Sequence, residues 1–383
     1  MKADSAPGIA LPPRLRLFAR GFLAACLLLL FACQPLPKPT VEVMPAYEAL
    51  FSQSRGWIGA DAIYSVTLAP GRTLWLFGDT FVGSIEDGRR RDAVIVNNSV
   101  ALQTGLRPDA ARIAFYFGSH GDGQPAALIE PADGRGWFWI YDGIRTAGGL
   151  FLFAVQIERT PDTSVFGFRL IGNWLCRIEN PDDAPDRWQI AQKRLPWSTG
   201  GGEDQVLFGS ALLTADRFLY IYGARDRQIE GRLQKSMIVA RVRLDHLQDL
   251  DRWRYYADGR WSPSYHEALA ISDDVANEYS VSFLPQLGKY VLVYSESGLS
   301  PNILARLADN PAGPWGRPIR LYRCPEAGWD QRIFCYAGKA HPEVSMQAGE
   351  LIVTYVSNAT DLELLEADAR LYRPRFLRVR FAP

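Results

Sequence analysis

Residues 61–80 read DAIYSVTLAPGRTLWLFGDT. An alternating run of apolar and polar residues leads to the turn sequence Pro70-Gly71, and an aromatic-rich apolar run follows it. Short runs of this composition on either side of turn residues are typical of a β-hairpin. An aspartate stands at each open end of this predicted hairpin, Asp61 before the first strand and Asp79 after the second.

The same pattern returns four more times, in stretches that begin at Tyr141, Phe208, Tyr279 and His341. The residues that open the second run of each copy lie 61 to 76 positions apart, and they are Leu74, Leu150, Phe218, Tyr290 and Leu351. A hairpin cannot bury its apolar faces alone, so repeated hairpins stack on one another. A repeat of this length suits a four-stranded blade with long loops. The sequence therefore predicts an all-β protein, a five-bladed β-propeller.

Two other architectures compete with the propeller. A pair of β-sandwiches would also use short strands and turn residues, whereas a β-helix would need much shorter repeats. We predict that the propeller domain spans residues 56–383. Residues 34–55 form a tether and include a strand that could pair with the last blade, which would remove an exposed sheet edge.

The composition excludes some classes of protein. The 383 residues contain 42 Lys and Arg and 42 Asp and Glu, so no basic surplus favours nucleic-acid binding. With 48% hydrophobic and 22% charged residues, the chain has the composition of a folded protein.

Residues 1–33 resemble a lipoprotein signal peptide. Basic residues precede the apolar run from Gly21 to Ala32, which is too short for a membrane-spanning helix. Leu30-Phe31-Ala32-Cys33 resembles a lipobox, so we expect Cys33 to carry a lipid in the bacterial cell envelope, either in the periplasm or at the outer membrane. Cys26 ends a similar stretch and is the alternative; a plain signal peptide or an uncleaved anchor would leave both cysteines unmodified.

The other cysteines and the histidines give little sign of a metal site. Cys324 and Cys335 are 11 residues apart, and in an oxidising compartment they could form a disulfide or stay as two thiols. The four histidines are scattered and no CxxC motif occurs. We therefore expect neither a metal nor another cofactor.

Polar residues are predicted to gather at one end of the propeller channel. In an antiparallel hairpin, the start of the first strand and the end of the second lie at the same end. The predicted strand starts bring Asp61, Asp142, Glu203, Asp204, Glu278, His341 and Glu343 to that end, and the first strand exit brings Asp79. Two carboxyl groups beside an aromatic-lined funnel could hydrolyse a glycosidic bond, one as acid and the other as nucleophile or base.

The register of the first hairpin decides whether Asp61 and Asp79 face each other. With a four-residue loop from Ala69 to Arg72, Asp61 lies opposite Thr80; a five-residue loop or a bulge makes the two aspartates partners. The sequence does not choose between these registers. Either aspartate could instead serve only as a cap for a turn or a strand end.

Four stretches resemble a known family. Gly59 to Ala62, Leu74 to Phe81, Asn98 to Ala101 and Tyr336 to Glu343 look like a bacterial domain-of-unknown-function family, the 4185 type, which is related to endo-D-arabinanase glycoside hydrolases. The resemblance runs from about Trp57 to Phe381. It implies a five-bladed propeller with Asp61 and Asp79 in catalysis.

The sequence thus predicts an exported, monomeric glycoside hydrolase whose partners are a polysaccharide and, through the lipid on Cys33, a membrane. Asp61 and Asp79 are the expected catalytic pair. The expected substrate-binding residues are Trp57, Asn98, Asp142, Glu203, Asp204, Glu278, Lys339, His341 and Glu343. The alternative is a non-catalytic envelope protein that binds a carbohydrate or a partner protein.

Overall fold

Antiparallel strands make up most of the regular structure. A computed structural model describes residues 38–197 and 204–381, and these hold twenty-seven strands and two α-helices of six residues each. This confirms the prediction of an all-β protein. No helix in the described part of the chain is long and apolar enough to cross a membrane.

The N-terminal segment and the first sheet occupy residues 39–126. The segment contains β1 (Pro39–Val43), α1 (Pro45–Leu50) and β2 (Arg55–Ala60). The first four-stranded sheet has the order β3 (Tyr64–Ala69), β4 (Arg72–Phe77), β7 (Ser99–Thr104) and β8 (Arg112–Tyr116). Between β4 and β7 the chain inserts β5 (Thr80–Glu86) and β6 (Arg89–Val96), which form a three-stranded sheet with β2. A short pair, β9 (Gly118–Ser119) and β10 (Pro125–Ala126), follows.

Four further sheets follow in chain order. The second consists of β11 (Trp137–Thr146), β12 (Gly149–Arg159), β13 (Phe168–Ile178) and β14 (Ile190–Arg194). The third consists of β15 (Asp204–Ala215), β16 (Phe218–Ile229), β17 (Arg232–Arg243), β18 (Arg254–Ala257) and β19 (Arg260–Ser262), with β20 (Ser272–Asp273) beside β17. The fourth consists of β21 (Tyr279–Leu284), β22 (Lys289–Ser295), β23 (Asn302–Ala308) and β24 (Ile319–Arg323).

The fifth sheet contains strands from both ends of the described chain. Its order is β25 (Ile333–Ala340), β26 (Glu350–Ala359), β27 (Pro374–Phe381) and β1, with α2 (Leu362–Ala367) between β26 and β27. Strand β1 is antiparallel to β27, and its residues Pro39 and Val43 lie opposite Phe381 and Leu377. The N-terminal strand therefore covers an edge of β27 that would otherwise have unpaired backbone groups.

The five predicted hairpins correspond to the first two strands of these five sheets. The anchor residues Leu74, Leu150, Phe218, Tyr290 and Leu351 all lie in the second strand of their sheet. The fifth hairpin differs from the prediction, because its first strand is β25 and ends at Ala340, before His341. Pro342 lacks an N–H and cannot continue a ladder, so residues 342–344 form a 3₁₀ turn instead.

The first strands of successive sheets lie against one another. Strand β3 contacts β11, β11 contacts β15, β15 contacts β21, and β21 contacts β25. The fifth sheet also contacts the first, since the Nδ1 atom of His341 lies 2.6 Å from the Oγ atom of Ser65. The His341 ring also packs 5.0 Å from the ring of Trp75. Each of the five sheets therefore has two neighbours among the other four.

A glycine makes the close contact between the second and third sheets possible. Strand β15 is irregular after Phe208, and Gly209 there has a φ of +106°. A Cβ atom at Gly209 would lie 2.2 Å from the Cβ atom of Phe153 on β12. Only glycine adopts this backbone conformation without strain and leaves that space for the phenylalanine.

We therefore expect Gly209→Ala to lower the free energy of unfolding by more than about 2 kcal/mol, because the methyl group would overlap Phe153 in a strained backbone. Gly121→Ala is the matched control, since nothing lies within 4 Å of a Cβ atom there. Chemical denaturation of both variants measures the difference. Equal stability of the two variants would contradict this account of the sheet contact.

Candidate active site

A β-bulge in the first hairpin brings Asp61 and Asp79 together. Strands β3 and β4 pair Tyr64 with Leu76 and Thr67 with Thr73, and the register shifts before Ala69 pairs with Arg72. Ala62 and Ile63, with φ of +64° and +56°, separate Asp61 from β3. Strands β2 and β5 have the same register and pair Ala60 with Thr80, so Asp61 lies opposite Asp79, and the Asp61 N–H donates to the Asp79 carbonyl oxygen at 3.2 Å. Of the two registers that the sequence allowed, the structure has the one with the bulge. We refer to this end of the sheets, where β3 begins and β4 ends, as the mouth.

Two tyrosines hold the Asp61 carboxyl group. The Tyr336 hydroxyl donates to Oδ2 at 2.6 Å, and the Tyr372 hydroxyl donates to the same oxygen at 2.8 Å. Burial, together with the negative charges of Asp79 and Glu278, raises the pKa of Asp61 to about 8, against the opposing effect of the two tyrosine hydrogen bonds. Asp61 is therefore a carboxyl group that can hold its proton near neutral pH.

Asp79 has a different set of partners. Its Oδ1 atom accepts hydrogen bonds from the Asn97 amide at 3.0 Å and from the Trp139 indole at 2.8 Å. Burial raises the pKa of Asp79, while these two donors and the positive charge of Arg159 oppose the rise. Within the described residues, no side chain donates to Oδ2, which leaves that oxygen for a ligand or water.

Aromatic rings connect the donors of both carboxyl groups across the mouth. Phe168, at the start of β13, packs edge-on against Trp139 at 4.7 Å. In the preceding loop, Phe166 lies 6.0 Å from Phe334 on β25, and Phe334 lies 5.6 Å from Tyr336. Residues at the end of the loop between β12 and β13 thus pack against Trp139, which binds Asp79, and against Phe334, which lies beside Tyr336, the residue that binds Asp61.

Arg90, on β6, fixes the segment that carries Tyr372. Its guanidinium donates to the Leu365 carbonyl and, at 2.6 Å, to the Leu371 carbonyl, and it lies 4.6 Å above the Phe81 ring. Tyr372 has a φ of +57°, and a Cβ atom at Gly59 would be 2.3 Å from its carbonyl oxygen. Arg90 and the missing side chain at Gly59 together allow the Tyr372 hydroxyl to reach Asp61.

An ion pair lies beside the carboxyl pair. The Lys339 ammonium donates to Oε2 of Glu278 at 2.6 Å and lies 4.3 Å from the centre of the Tyr64 ring. The Lys339 side chain is only 1% exposed, so burial lowers its pKa, whereas the charge of Glu278 opposes that change. Lys339 therefore balances one of the negative charges that surround Asp61.

Asp142 and Glu343 do not lie at the mouth, where the sequence analysis placed them. Strand β11 begins at Trp137, so Asp142 lies within the strand, at a bulge, and accepts from the N–H groups of Gly143 at 2.8 Å and Leu212 at 2.7 Å. Glu343 follows the end of β25. Both residues line a cavity of about 250 Å³ together with Thr67, Arg145 and Thr214, which lie towards the turn ends of their strands.

These two carboxyl groups are also shifted towards the protonated form. Burial raises the pKa of Asp142 to about 7 and that of Glu343 to about 8. The two hydrogen bonds from backbone N–H groups oppose the change at Asp142, and the negative charge of Asp142 adds to the change at Glu343. They therefore form a second acidic region, away from the mouth and towards the turn ends of the strands.

Three of the predicted substrate-binding residues, His341, Trp57 and Asn98, are buried and bonded to other parts of the protein. His341 is buried, and its ring nitrogens lie 2.6 Å from the Ser65 hydroxyl and 2.7 Å from the Thr354 hydroxyl. Burial lowers its pKa to about 3, so the ring is neutral. Trp57 is buried and stacks on Phe115 at 4.4 Å, with its indole N–H bonded to Ser99.

Asn98 is also buried. Its side chain bonds the backbone of Ile129 and Phe138, which joins the first sheet to the second. Its neighbour Asn97 is the residue that contacts Asp79. Like His341 and Trp57, Asn98 therefore supports the site from within the protein.

Four further predictions concern Asp204, the pair of Cys324 and Cys335, Glu203 and Cys33. Asp204 lies at the start of β15, where Arg225 binds it at 2.5 Å. Cys324, directly after β24, forms a disulfide with Cys335 in β25, which joins the fourth and fifth sheets. Glu203 and Cys33 lie outside the described residues.

Sequence reasoning missed four residues that hold the two carboxyl groups: Asn97, Trp139, Tyr336 and Tyr372. Tyr336 opens one of the stretches on which the family resemblance was based, and Asn97 precedes another. The locations of Tyr336 and Asn97, within or directly before these stretches, could have identified both as site residues. Tyr372 follows α2 in an irregular loop, and no pattern in the sequence marks it.

The chain matches a protein family by sequence and a solved structure by fold. Residues 45–381 match the family described as "Domain of unknown function (DUF5005)". A crystal structure of "a putative hydrolase" from Bacteroides ovatus ATCC 8483 has a TM-score of 0.68 and 21% identity, and the match covers 89% of this chain and 90% of that one. The two chains therefore share a fold.

Two more distant structures are glycoside hydrolases. A thermostable family-43 glycoside hydrolase gives a TM-score of 0.47 at 15% identity, over 86% of this chain and 91% of that one. A xylan β-1,4-xylosidase from Bacillus halodurans C-125 gives 0.46 at 11% identity, over 80% of this chain and 50% of that one. No curated protein sequence matches the chain significantly.

The raised pKa of Asp61 has a consequence for stability. An aspartate in the unfolded chain titrates near its ordinary value of 3.8, whereas Asp61 in the folded protein titrates near 8. Between these two pH values the folded state binds more protons, so the free energy of unfolding falls as pH rises. We expect Asp61→Asn to flatten this slope by up to about 1.4 kcal/mol per pH unit, the contribution of one proton.

Denaturant unfolding at several values between about pH 4 and pH 8 measures the slope. Asp87→Asn, in the exposed turn between β5 and β6, is the matched control and should keep the slope of the unmodified protein. Part of the slope should persist in Asp61→Asn, because Asp142 and Glu343 also titrate in this range. An identical slope in both variants would mean that Asp61 is not a buried proton acceptor.

Proposed function

We propose that this chain, which belongs to the DUF5005 family, is a glycoside hydrolase in which Asp61 and Asp79 are the two reacting carboxyl groups. One observation carries the proposal: Asp61 and Asp79 lie opposite each other at the mouth, joined by a backbone hydrogen bond, and each carboxyl group has its own set of hydrogen-bond donors. Two carboxyl groups, one to protonate the leaving oxygen and one to attack or to activate water, are what the cleavage of a glycosidic bond requires.

We also propose that the five sheets are the blades of a propeller. The contacts between successive first strands and the pairing of β1 with β27 support this arrangement. In such an arrangement, the mouth is one end of a central channel, where loops of several blades can surround a ligand. The fold likeness to the Bacteroides ovatus structure agrees with the proposal, and the carboxyl pair gives the chemistry.

The surroundings of the two aspartates suggest their roles. Asp61, whose pKa is about 8, would donate its proton to the oxygen of the leaving sugar as the glycosidic C–O bond breaks. Asp79, whose Oδ2 accepts from no side chain in the described residues, would attack the anomeric carbon or remove a proton from the attacking water. The anomer released first by the enzyme distinguishes these two courses.

The proposed substrate is a neutral polysaccharide of the cell surface or the environment, with an arabinan as the first candidate. The arabinan follows from the resemblance of the Leu74–Phe81 and Tyr336–Glu343 stretches to the 4185-type family and its endo-D-arabinanase relatives. We also propose that the Glu278–Lys339 pair, next to Asp61, binds sugar hydroxyl groups; the ion pair itself supports this.

Replacing Asp79 tests the proposal. We expect Asp79→Asn to lower kcat by about 10³-fold or more, because an amide can neither attack nor accept a proton, while the Asn97 and Trp139 donors keep the side chain in place. Purified protein is screened against a glycan panel that includes D-arabinan, with analysis of the products. Asp204→Asn is the control, since Asp204 also lies at the mouth but is paired with Arg225.

Asp204→Asn should retain most of the activity. Turnover by Asp79→Asn at the level of the unmodified protein would overturn the proposed mechanism. Tight binding of a glycan without any product, in the unmodified protein, would favour the alternative of a carbohydrate-binding envelope protein.

We further propose that the protein is exported and anchored by a lipid on Cys33, as the lipobox-like stretch Leu30–Cys33 indicates. Metabolic labelling with palmitate in a bacterial host should label the unmodified protein, and Cys33→Ala should lose the label and leave the membrane fraction. Cys26→Ala is the control and should keep the label. Labelling lost only in Cys26→Ala would move the lipid to that cysteine.

A further inference from the structure

A second cavity lies at the mouth, on the Asp79 side of the carboxyl pair. Its volume is about 390 Å³, within the range of roughly 300–1,000 Å³ that is common for small-molecule sites. The end of β6, the β9–β10 pair and the segment before β11 surround it. None of the residues assigned to Asp61 takes part in this cavity.

The cavity shares its walls with the Asp79 site. Asn97 lines it and donates to Oδ1 of Asp79 at 3.0 Å. Trp137 also lines it and packs 6.4 Å from Trp139, whose indole N–H donates to the same oxygen at 2.8 Å. A molecule in the cavity would therefore be separated from Asp79 by the width of one side chain.

The lining favours a neutral ligand with hydroxyl groups. Among the residues that the structure describes, no lysine or arginine lines the cavity, and the one carboxylate that does, Glu130, is exposed and would repel an anion. The indole nitrogen of Trp137 is buried and has no hydrogen-bond partner among the described residues. A buried donor without a partner is costly, and a sugar hydroxyl could accept from it.

We propose that this cavity is a subsite for a neutral sugar residue of the substrate chain, adjoining the residue whose bond is cleaved. The Asn97 amide and the Trp137 indole are the donors, and the exposed side chain of Ile95 supplies an apolar contact. This inference rests on the proposed glycoside hydrolase function and adds to it a binding position for one further sugar residue of the substrate. It also predicts that substrates with uronic acids at this position bind poorly.

Filling the cavity tests the subsite. Ala127 lines the cavity, whereas the exposed Ala132, five residues further on, does not. We expect Ala127→Phe to raise KM for neutral arabino- and xylo-oligosaccharides of three to six units by about tenfold or more. The rate on 4-nitrophenyl glycosides, which carry one sugar, should change less than about twofold. Ala132→Phe should match the unmodified protein on both kinds of substrate.

A binding measurement separates this inference from the proposed function. Calorimetric titration of the same oligosaccharides should give Kd values about tenfold higher for Ala127→Phe than for Ala132→Phe. If the unmodified protein binds the oligosaccharides with this difference but cleaves none of them, the subsite stands and the hydrolase proposal fails. Equal KM and Kd values in the two variants, or no binding of any neutral oligosaccharide to the unmodified protein, would overturn the subsite.

A second variant guards against misfolding. Trp137→Phe keeps an aromatic ring against Trp139 and removes only the indole nitrogen, so a several-fold weaker binding of the oligosaccharides is expected. Thermal unfolding of each variant checks that its fold is intact. Unchanged binding by a stable Trp137→Phe protein would remove the indole from the proposed subsite.

Discussion

The register of β3 against β4 is the constraint on which the candidate site depends. The pairs β3–β4 and β2–β5 share the register that sets Asp61 opposite Asp79, so a slip of one residue in either pair would move the two aspartates out of alignment. The bulge between Thr67 and Ala69 sets the register, and the buried Leu68 lies within it. The mouth therefore depends on an irregularity at the far end of the same hairpin.

The channel gathers more carboxyl groups than positive charges, and each group is accommodated differently. Tyrosine hydroxyls hold Asp61, an amide and an indole hold Asp79, and Lys339 pairs with Glu278. Asp142 is held by backbone N–H groups. Neutral donors stabilise a carboxylate less than a positive charge does, so burial leaves several of these pKa values raised. The arrangement separates a proton-holding Asp61 from an Asp79 with one free oxygen.

The sequence predicted the strands well, but it predicted less well where each polar residue lies along its strand. Alternating apolar runs and turn residues identified the second strand of every sheet, because those strands are buried and regular. Asp142 and Glu343 were misplaced, since a strand that starts four residues earlier, or ends before a proline, moves its polar residues along the channel. His341 was recognised as important, but its neighbours Ser65 and Thr354 come from distant parts of the chain, which no local pattern reveals.

The insertion between β4 and β7 belongs to the site although it lies outside the five main sheets. Arg90, on β6, holds the loop that carries Tyr372, and Asn97, directly after β6, binds Asp79. One element therefore sets a donor for each aspartate, and it also contributes a wall to the cavity beside Asp79. A change in the β5–β6 hairpin would disturb both carboxyl groups at once, even though neither is part of it. Asp61 and Asp79 flank the first hairpin, but the donors that hold their carboxyl groups come in part from the insertion and the C-terminal loop.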